Sequence, residues 1–338
     1  MDNVRLGKTD LEVNKIGFGA LPIQRRNVSD SIEILTKAYE SGVDFYDTAR
    51  FYTDSEAKLG LAFEDVRENI YIASKTAAEN AEDFWKDLET SLKELKTDYL
   101  DLYQHHNISF CPKNGDELTK AMSEAKSEDL IKHIGLTTHK ITIAHEALDS
   151  GLYETLQYPF SYLSGPEELQ LVKKCKSLDI GFIAMKAMGG GLIKNSKISY
   201  AYMNQFDNVL PIWGIQKLEE LEEFLSYPEN IKLDDNLIKT IENDKKELGE
   251  NFCRGCGYCM PCIEDINISL CARMSLWIRR FPTKPYLTQD YQNIMEKTQD
   301  CTECYSCVDK CPYELDIPEL LKENYDDYMK VLSGEIKI

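Results

Sequence analysis

Apolar residues in the first two-thirds of the chain fall in short runs of six to eight, separated by longer segments in which they recur at every third or fourth position. The runs are KIGFGA (15–20), VDFYDTA (43–49), IYIASK (70–75), YLDLYQHH (99–106), HIGLTT (133–138), TLQYPF (155–160), IGFIAMKA (180–187) and VLPIWG (209–214). Each is rich in β-branched or aromatic residues and reads as a buried strand. The segments between them read as amphipathic helices. In SDSIEILTKAYESG, Ser29 or Asp30 is the expected cap, Ile32, Leu35 and Tyr39 share one face, and Gly42 ends the helix. DFWKDLETSLKEL repeats the pattern with Phe84, Leu88, Leu92 and Leu95. Eight strand-then-helix units predict an α/β fold, a parallel (β/α)8 TIM barrel, with a doubly wound sheet as the alternative.

The stretch VRLGKTDLEVNK before the first strand predicts a small hairpin. Residues 217–250 are helical and acidic, and are expected to finish the barrel. Nine of the eleven cysteines then lie after residue 252, and that compositional break divides the chain. We therefore expect a barrel over residues 1–240 and a small, mainly helical, ferredoxin-like domain over 241–338. The 58 acidic and 39 basic residues give a net charge of −19, which argues against nucleic acid and anionic membranes as partners. Neither a signal-peptide pattern nor about 18 uninterrupted apolar residues occurs, so a cytoplasmic protein is expected. Thiols stay reduced there, and clustered cysteines favour metal or redox chemistry.

Barrel enzymes carry their chemistry at the C-terminal ends of strands. Asp47 and Tyr52 follow the second run, Lys75 ends the third and His106 ends the fourth. A strand-end Asp often caps a turn, and a lone His is often structural, but together the four suggest proton transfer. A tyrosine with a reference pKa near 10 becomes a useful acid–base when a neighbouring cation stabilises its phenolate. Lys75 can supply that charge, and Asp47 can keep the lysine ionised.

The blocks GVDFYDTARFY (42–52), IASKT (72–76) and YLDLYQHH (99–106) resemble the signature blocks of the aldo-keto reductases. LGKTDLEVNKIGFGALP (6–22) is similar to that family's opening, and GFIAMKAMGGG (181–191) to its seventh strand and following loop. The resemblance implies Tyr52 as proton donor, Asp47 and Lys75 as the pair that tunes it, and His106, five positions after Asp101, as the residue that orients a carbonyl. It also implies a small carbonyl-type substrate and hydride transfer from NADPH. Gln157 and Lys186 would by resemblance line the nicotinamide site, and Gly214 and Lys217 would stand in the phosphate grip after the eighth strand. There the chain departs from the family: WGIQKLEELEEF (213–224) offers one basic residue, Lys217, among carboxylates. Carboxylates repel a phosphate, so NADPH, NADH, a flavin and a nicotinamide site that has decayed all stay open.

The cysteines form two runs, CRGCGYCMPC (253–262) and CTECYSCVDKCP (301–312). Zinc usually takes two well-separated CxxC pairs. Closely spaced triplets with a fourth cysteine before proline suit cubane clusters, the fourth thiol serving the other cluster. The expected sets are therefore crossed: Cys253, Cys256, Cys259 and Cys311 for one [4Fe–4S] cluster, and Cys301, Cys304, Cys307 and Cys262 for the second. Ile263 stands where the first run's proline would be. Cys111, Cys175 and Cys271 read as core residues. The basic island RMSLWIRRFPTKP (273–285) suggests an amphipathic linker or, alternatively, a docking patch for an acidic electron carrier such as ferredoxin or flavodoxin. Both halves together resemble aldo-keto reductases with a C-terminal ferredoxin-type domain. Three readings follow: a carbonyl oxidoreductase coupled to cluster electron transfer, an electron-transfer or disulfide-reducing protein using the barrel as scaffold, and an NAD(P)H-dependent reductase with structural clusters.

Overall fold

The computed structural model describes residues 3–106, 108, 110–229, 231–248 and 251–338. They form two compact units, Met1–Ala187 with Asn195–Asp234, and Met188–Lys194 with Asp235–Ile338.

The first unit begins with an antiparallel hairpin, β1 (Asn3–Arg5) and β2 (Glu12–Asn14). Eight parallel strands follow: β3 (Gly17–Gly19), β4 (Phe45–Asp47), β5 (Tyr71–Thr76), β6 (Leu100–His106), β7 (Ile131–Thr137), β8 (Thr155–Pro159), β9 (Gly181–Met185) and β10 (Val209–Gly214). They close into a barrel, β10 pairing back onto β3 with Ile212 opposite Gly17 and Gly214 opposite Gly19. All eight expected strands are present. The helices between and after them are α1 (Val28–Glu40), α2 (Ser55–Phe63), α3 (Ala81–Leu95), α4 (Glu117–Ser127), α5 (Ile141–Ser150), α6 (Pro166–Ser177), α7 (Ser196–Met203) and α8 (Leu218–Leu225).

Hairpin residues Val4, Leu6 and Val13 share a buried cluster with Phe45, Leu102 and Leu210, near the N-terminal halves of the strands. Apolar side chains fill that end, which leaves the C-terminal rim for polar groups. Gly135 on β7 shows how tight the wall is: a Cβ there would lie 2.3 Å from Thr155 Oγ1 and 2.9 Å from Gln104 Cγ. The cap of α1 is Asn27 rather than Ser29 or Asp30, because its side chain accepts the Asp30 N–H.

The second unit is mainly helical. It contains α9 (Asp235–Leu248), α10 (Ile268–Cys271), α11 (Met274–Arg280), α12 (Gln289–Glu296), α13 (Ser306–Asp309) and α14 (Ile317–Leu332). Ile266, Ile278, Met295, Leu321 and Tyr328 make its core, and Cys271 is buried among them. The acidic stretch 217–250 does not finish the barrel as a whole. Its first helix, α8, belongs to the barrel unit and its second, α9, to the other. Asp244 and Glu247 of α9 both meet the buried Arg280, which explains that allegiance.

Candidate active site and thiol cavities

Pairing between strands carries the four strand-end residues toward one place on the barrel rim. Asp47 closes β4 opposite Ala73 of β5, and Lys75 lies two residues further along β5. His106 closes β6 opposite Thr137 of β7. Tyr52 lies on the turn after β4, its N–H bonded to the Ala49 carbonyl and its own carbonyl accepting from Ser55.

The Lys75 Nζ donates to Asp47 Oδ1 at 2.6 Å and to the Thr48 carbonyl at 2.6 Å. Both side chains are almost fully buried, at 1% and 2% exposure. Burial pushes the Asp47 carboxyl up and the Lys75 amine down, and their mutual attraction opposes both shifts. Lys75 Nζ stands 5.2 Å from the centre of the Tyr52 ring. The His106 ring meets the Tyr52 ring edge-on, centroids 5.7 Å apart at 84°. Burial, and secondarily the Lys75 charge, drives His106 down to about 3, so its imidazole is neutral at ordinary pH. Its Nδ1 has no hydrogen-bond partner among the described residues. His105 points elsewhere and packs edge-on against Tyr153.

Gln157 on β8 is buried, and its Oε1 accepts from Gln104 Nε2 at 2.9 Å. Its side chain also favours the Asp47 anion. Lys186 follows β9 in the left-handed region, φ 57°, a conformation uncommon for a side-chain-bearing residue and concentrated at functional sites. His139, two residues past the end of β7, is a buried imidazole that burial first, and then the Lys186 charge, drives well below the ordinary 6.5. His139 carries the same signal in the sequence as the other rim residues, a polar side chain at or just beyond a strand end.

Gly214 ends β10 beside Pro22. Lys217 precedes α8, and here the chain has closed a position that a phosphate could use. The Glu220 carboxylate accepts from the N–H groups of Gln216 and Lys217, at 2.9 and 3.2 Å. Glu223 is likewise engaged, accepting from the hydroxyls of Ser196 and Tyr227. The amides at a helix N-terminus normally attract an anion. In α8 the Glu220 carboxylate takes the two amides that lead into the helix, which places a negative charge where a phosphate would approach.

The second unit holds two cavities lined by cysteines. One is bordered by Cys253, Cys256, Cys259 and Cys311. The other is bordered by Cys262, Cys301, Cys304 and Cys307, with Cys259 at its edge. Burial first, then the thiols of Cys256, Cys253 and Cys311, push Cys259 up to about 12, so the members of the first set sense one another. Among the described residues no group of three or more His, Cys, Asp or Glu side chains is placed to hold a metal ion. Each set of thiols instead surrounds a space, the arrangement a multi-iron cluster needs. The Gly255 N–H also lies 3.4 Å from Cys253 Sγ, a contact of the kind that tunes such clusters.

The basic island is engaged largely within its own unit. Arg280 is 4% exposed, bonds the Leu192 carbonyl and pairs with Asp244 and Glu247. Arg273 is also buried and bonds the Ser269 and Gly190 carbonyls. Arg279 pairs with Asp327 through both guanidinium nitrogens. Guanidinium groups consumed by internal partners offer little to a visiting protein, while Arg279 and Lys284 keep exposed surface.

Residues 15–209 match the Aldo/keto reductase family, and residues 252–316 match a 4Fe-4S dicluster domain. The chain belongs to the aldo/keto reductase family. This family member is similar to the "uncharacterized oxidoreductase YqkF" of Bacillus subtilis (strain 168), with 27% identity over 230 residues, 63% of this chain and 74% of that protein. It is also similar to the L-galactose dehydrogenase of Arabidopsis thaliana, with 28% identity over 209 residues, 56% of this chain and 66% of that protein. Among solved structures, aldo-keto reductase AKR11C1 from Bacillus halodurans, in its holo form, superposes with a TM-score of 0.63 at 19% identity. That match covers 72% of this chain and 96% of the other. An aldo-keto reductase from Klebsiella pneumoniae in complex with NADPH gives 0.62 at 20% identity, covering 72% and 94%. These structural likenesses carry the barrel fold. No helix among the described residues is long and apolar enough to cross a membrane.

Proposed function

We propose that this aldo/keto reductase-family oxidoreductase exchanges a proton between Tyr52 and the oxygen of a small carbonyl-type substrate, and that its two thiol sets hold [4Fe–4S] clusters that pass single electrons. The observation that carries the reading is the buried Lys75–Asp47 pair beside the Tyr52 ring, with His106 at the ring's edge. A cation held next to a phenol favours loss of its proton, and Asp47 holds that cation in place. Neutral His106 can orient the substrate oxygen through a ring N–H without competing for the proton. His139 and Lys186 flank the same rim.

A dinucleotide bound at the rim would supply hydride, and the Glu220-filled end of α8 favours one without a 2′-phosphate. Cys253, Cys256, Cys259 and Cys311 would hold one cluster, and Cys262, Cys301, Cys304 and Cys307 the other, each supplying a one-electron store. Hydride carries two electrons together and a cluster carries one, so coupling the two chemistries requires a group able to exchange both. All eleven cysteines are free of disulfides, which suits a reducing, cytoplasmic setting.

The test is Tyr52→Phe in anaerobically prepared protein. Turnover of an aldehyde panel should fall by about 10²–10⁴-fold while iron content stays at the wild-type level. Turnover within a factor of two of wild type would remove Tyr52 from the reaction.

A further inference from the structure

We infer that electrons pass between this chain and a partner protein across the surface formed by Ile263, Cys304 and Tyr305, and that the partner is a one-electron carrier whose contact face is apolar at its centre and basic at its rim. The inference rests on the reading that Cys262, Cys301, Cys304 and Cys307 hold a cluster.

Three observations point to this surface. The first is accessibility. Among the eight thiols of the two runs, Cys304 is exposed, Cys259 is buried and the others are half-buried. Transfer between proteins needs close approach of the redox centres, and the second set holds the most open thiol.

The second is apolar exposure at the same place. Ile263 is 69% exposed and Tyr305 is 48% exposed, and both line the cavity of the second thiol set. The other cavity has no exposed large apolar residue in its border, where Ala272 and Leu315 are buried and Tyr313 is half-buried. Water-exposed Ile and Tyr side by side over a functional cavity form the apolar centre of an interface. Tyr305 and Glu303, on either side of Cys304, both adopt left-handed backbone, φ 55° and 51°, a conformation that side-chain-bearing residues seldom take.

The third is charge. Glu264, Asp265 and Asp300 all act on the exposed Lys297, so they share one neighbourhood. Glu303 adds a fourth carboxylate, exposed in the same loop as Cys304, and Lys310 is the second cation there. Four carboxylates against two ammonium groups leave the rim negative, within a chain whose net charge is −19. A basic face would be steered toward such a rim, and an acidic one repelled. With Arg280 buried in ion pairs, Arg273 buried against two carbonyls and Arg279 tied to Asp327, three of the four cations in the island expected to attract an acidic ferredoxin or flavodoxin have partners within the unit.

The test uses the anaerobic holoprotein, its clusters reduced with dithionite, mixed in a stopped-flow instrument with ferric cytochrome c, a lysine-rimmed haem protein. In each event one electron leaves a reduced cluster, which is oxidised, and converts ferric haem to ferrous; no bond forms and no proton moves. The rate should fall at least 10-fold between low and 0.5 M salt. It should also fall at least 10-fold when succinylation reverses the charge of the cytochrome lysines. Glu264→Lys with Glu303→Lys, and separately Ile263→Thr with Tyr305→Ser, should each slow the reaction at least 5-fold while iron content and bleaching by dithionite stay at wild-type levels. Equal rates for native and succinylated cytochrome c, or iron-replete variants reacting at the wild-type rate, would overturn the assignment. Should dithionite fail to bleach the wild-type chain, the electron-transfer reading itself falls and this surface with it.

Discussion

Tyr52 depends on neighbours that sequence distance hides. Its cation, Lys75, is 23 positions away, and that cation's anchor, Asp47, lies back on the preceding strand. Removing either member of the buried pair leaves a charge without its partner, so Lys75→Met or Asp47→Ala should destabilise the barrel unit by about 3–5 kcal/mol and abolish turnover. A thermal melt alongside the activity assay measures both. The buried imidazoles give a second, pH-dependent expectation. His105 is held near 4 by burial, against an ordinary 6.5. Between those values the unfolded chain takes up a proton that the native chain refuses. Stability is therefore fully present above about pH 6.5 and declines as pH falls toward 4. The loss from His105 is on the order of 3 kcal/mol, with His106 acting in the same direction. Denaturant midpoints from pH 7.5 to 4.5 should show this slope, and His105→Phe should flatten it. A slope that His105→Phe leaves unaltered would place the acid sensitivity elsewhere.

At the scale of elements, three junctions carry the argument. In the barrel wall, the missing side chain of Gly135 lets β7 lie against Thr155 and Gln104, so Gly135→Ala should cost about 1–3 kcal/mol by overpacking. At α8, the Glu220 carboxylate sits on the Gln216 and Lys217 amides and sets a negative charge at the entry to the helix. Fluorescence titration should therefore find NADH bound more tightly than NADPH, and Glu220→Gln should narrow the difference by removing the carboxylate's charge; equal affinities in the wild-type chain would contradict this account of α8. In the second unit, Arg280 joins α9 and α11 to the 188–194 segment through two carboxylates and the Leu192 carbonyl. Arg280→Glu buries a charge among like charges, and it should unfold that unit and release its iron. Loss of carrier binding with the unit still iron-replete would be the opposite result, and would return Arg280 to a docking role.

For the whole molecule, the decisive question is which thiols act together. If the sets are crossed, Cys253→Ser with Cys311→Ser removes ligands from one cluster and leaves the other, about four iron atoms per chain. Cys253→Ser with Cys301→Ser removes a ligand from each, and most of the iron should be lost. Iron assay and cluster absorbance on the two double variants distinguish crossed from uncrossed sets, because an uncrossed arrangement gives heavy loss in both. Chelating the iron should also destabilise the second unit, whose thiol-lined cavities interrupt a small core. The larger barrel has its own apolar interior and should keep its far-ultraviolet signal.

Much of this protein is fixed by local pattern. Strand runs such as YLDLYQHH and IGFIAMKA, and the two cysteine runs, announced a barrel and a dicluster domain because hydrophobic period and ligand spacing are properties of consecutive residues. The placement of Tyr52 beside Lys75 and His106 was anticipated for a related reason: in a parallel barrel, strand ends gather on one rim whatever their separation in sequence. What the sequence could not decide was how charges pair across long intervals. Arg280, in an island that reads as a linker or a docking patch, is buried against Asp244 and Glu247; Lys217, by resemblance part of a phosphate grip, has the Glu220 carboxylate on the amides beside it; His139, a lone histidine past a strand, comes near Lys186 and His106 only in the fold. A charged side chain is costly to bury and stabilising once paired, so its role depends on which partner folding brings within about 4 Å, and only the tertiary structure determines that.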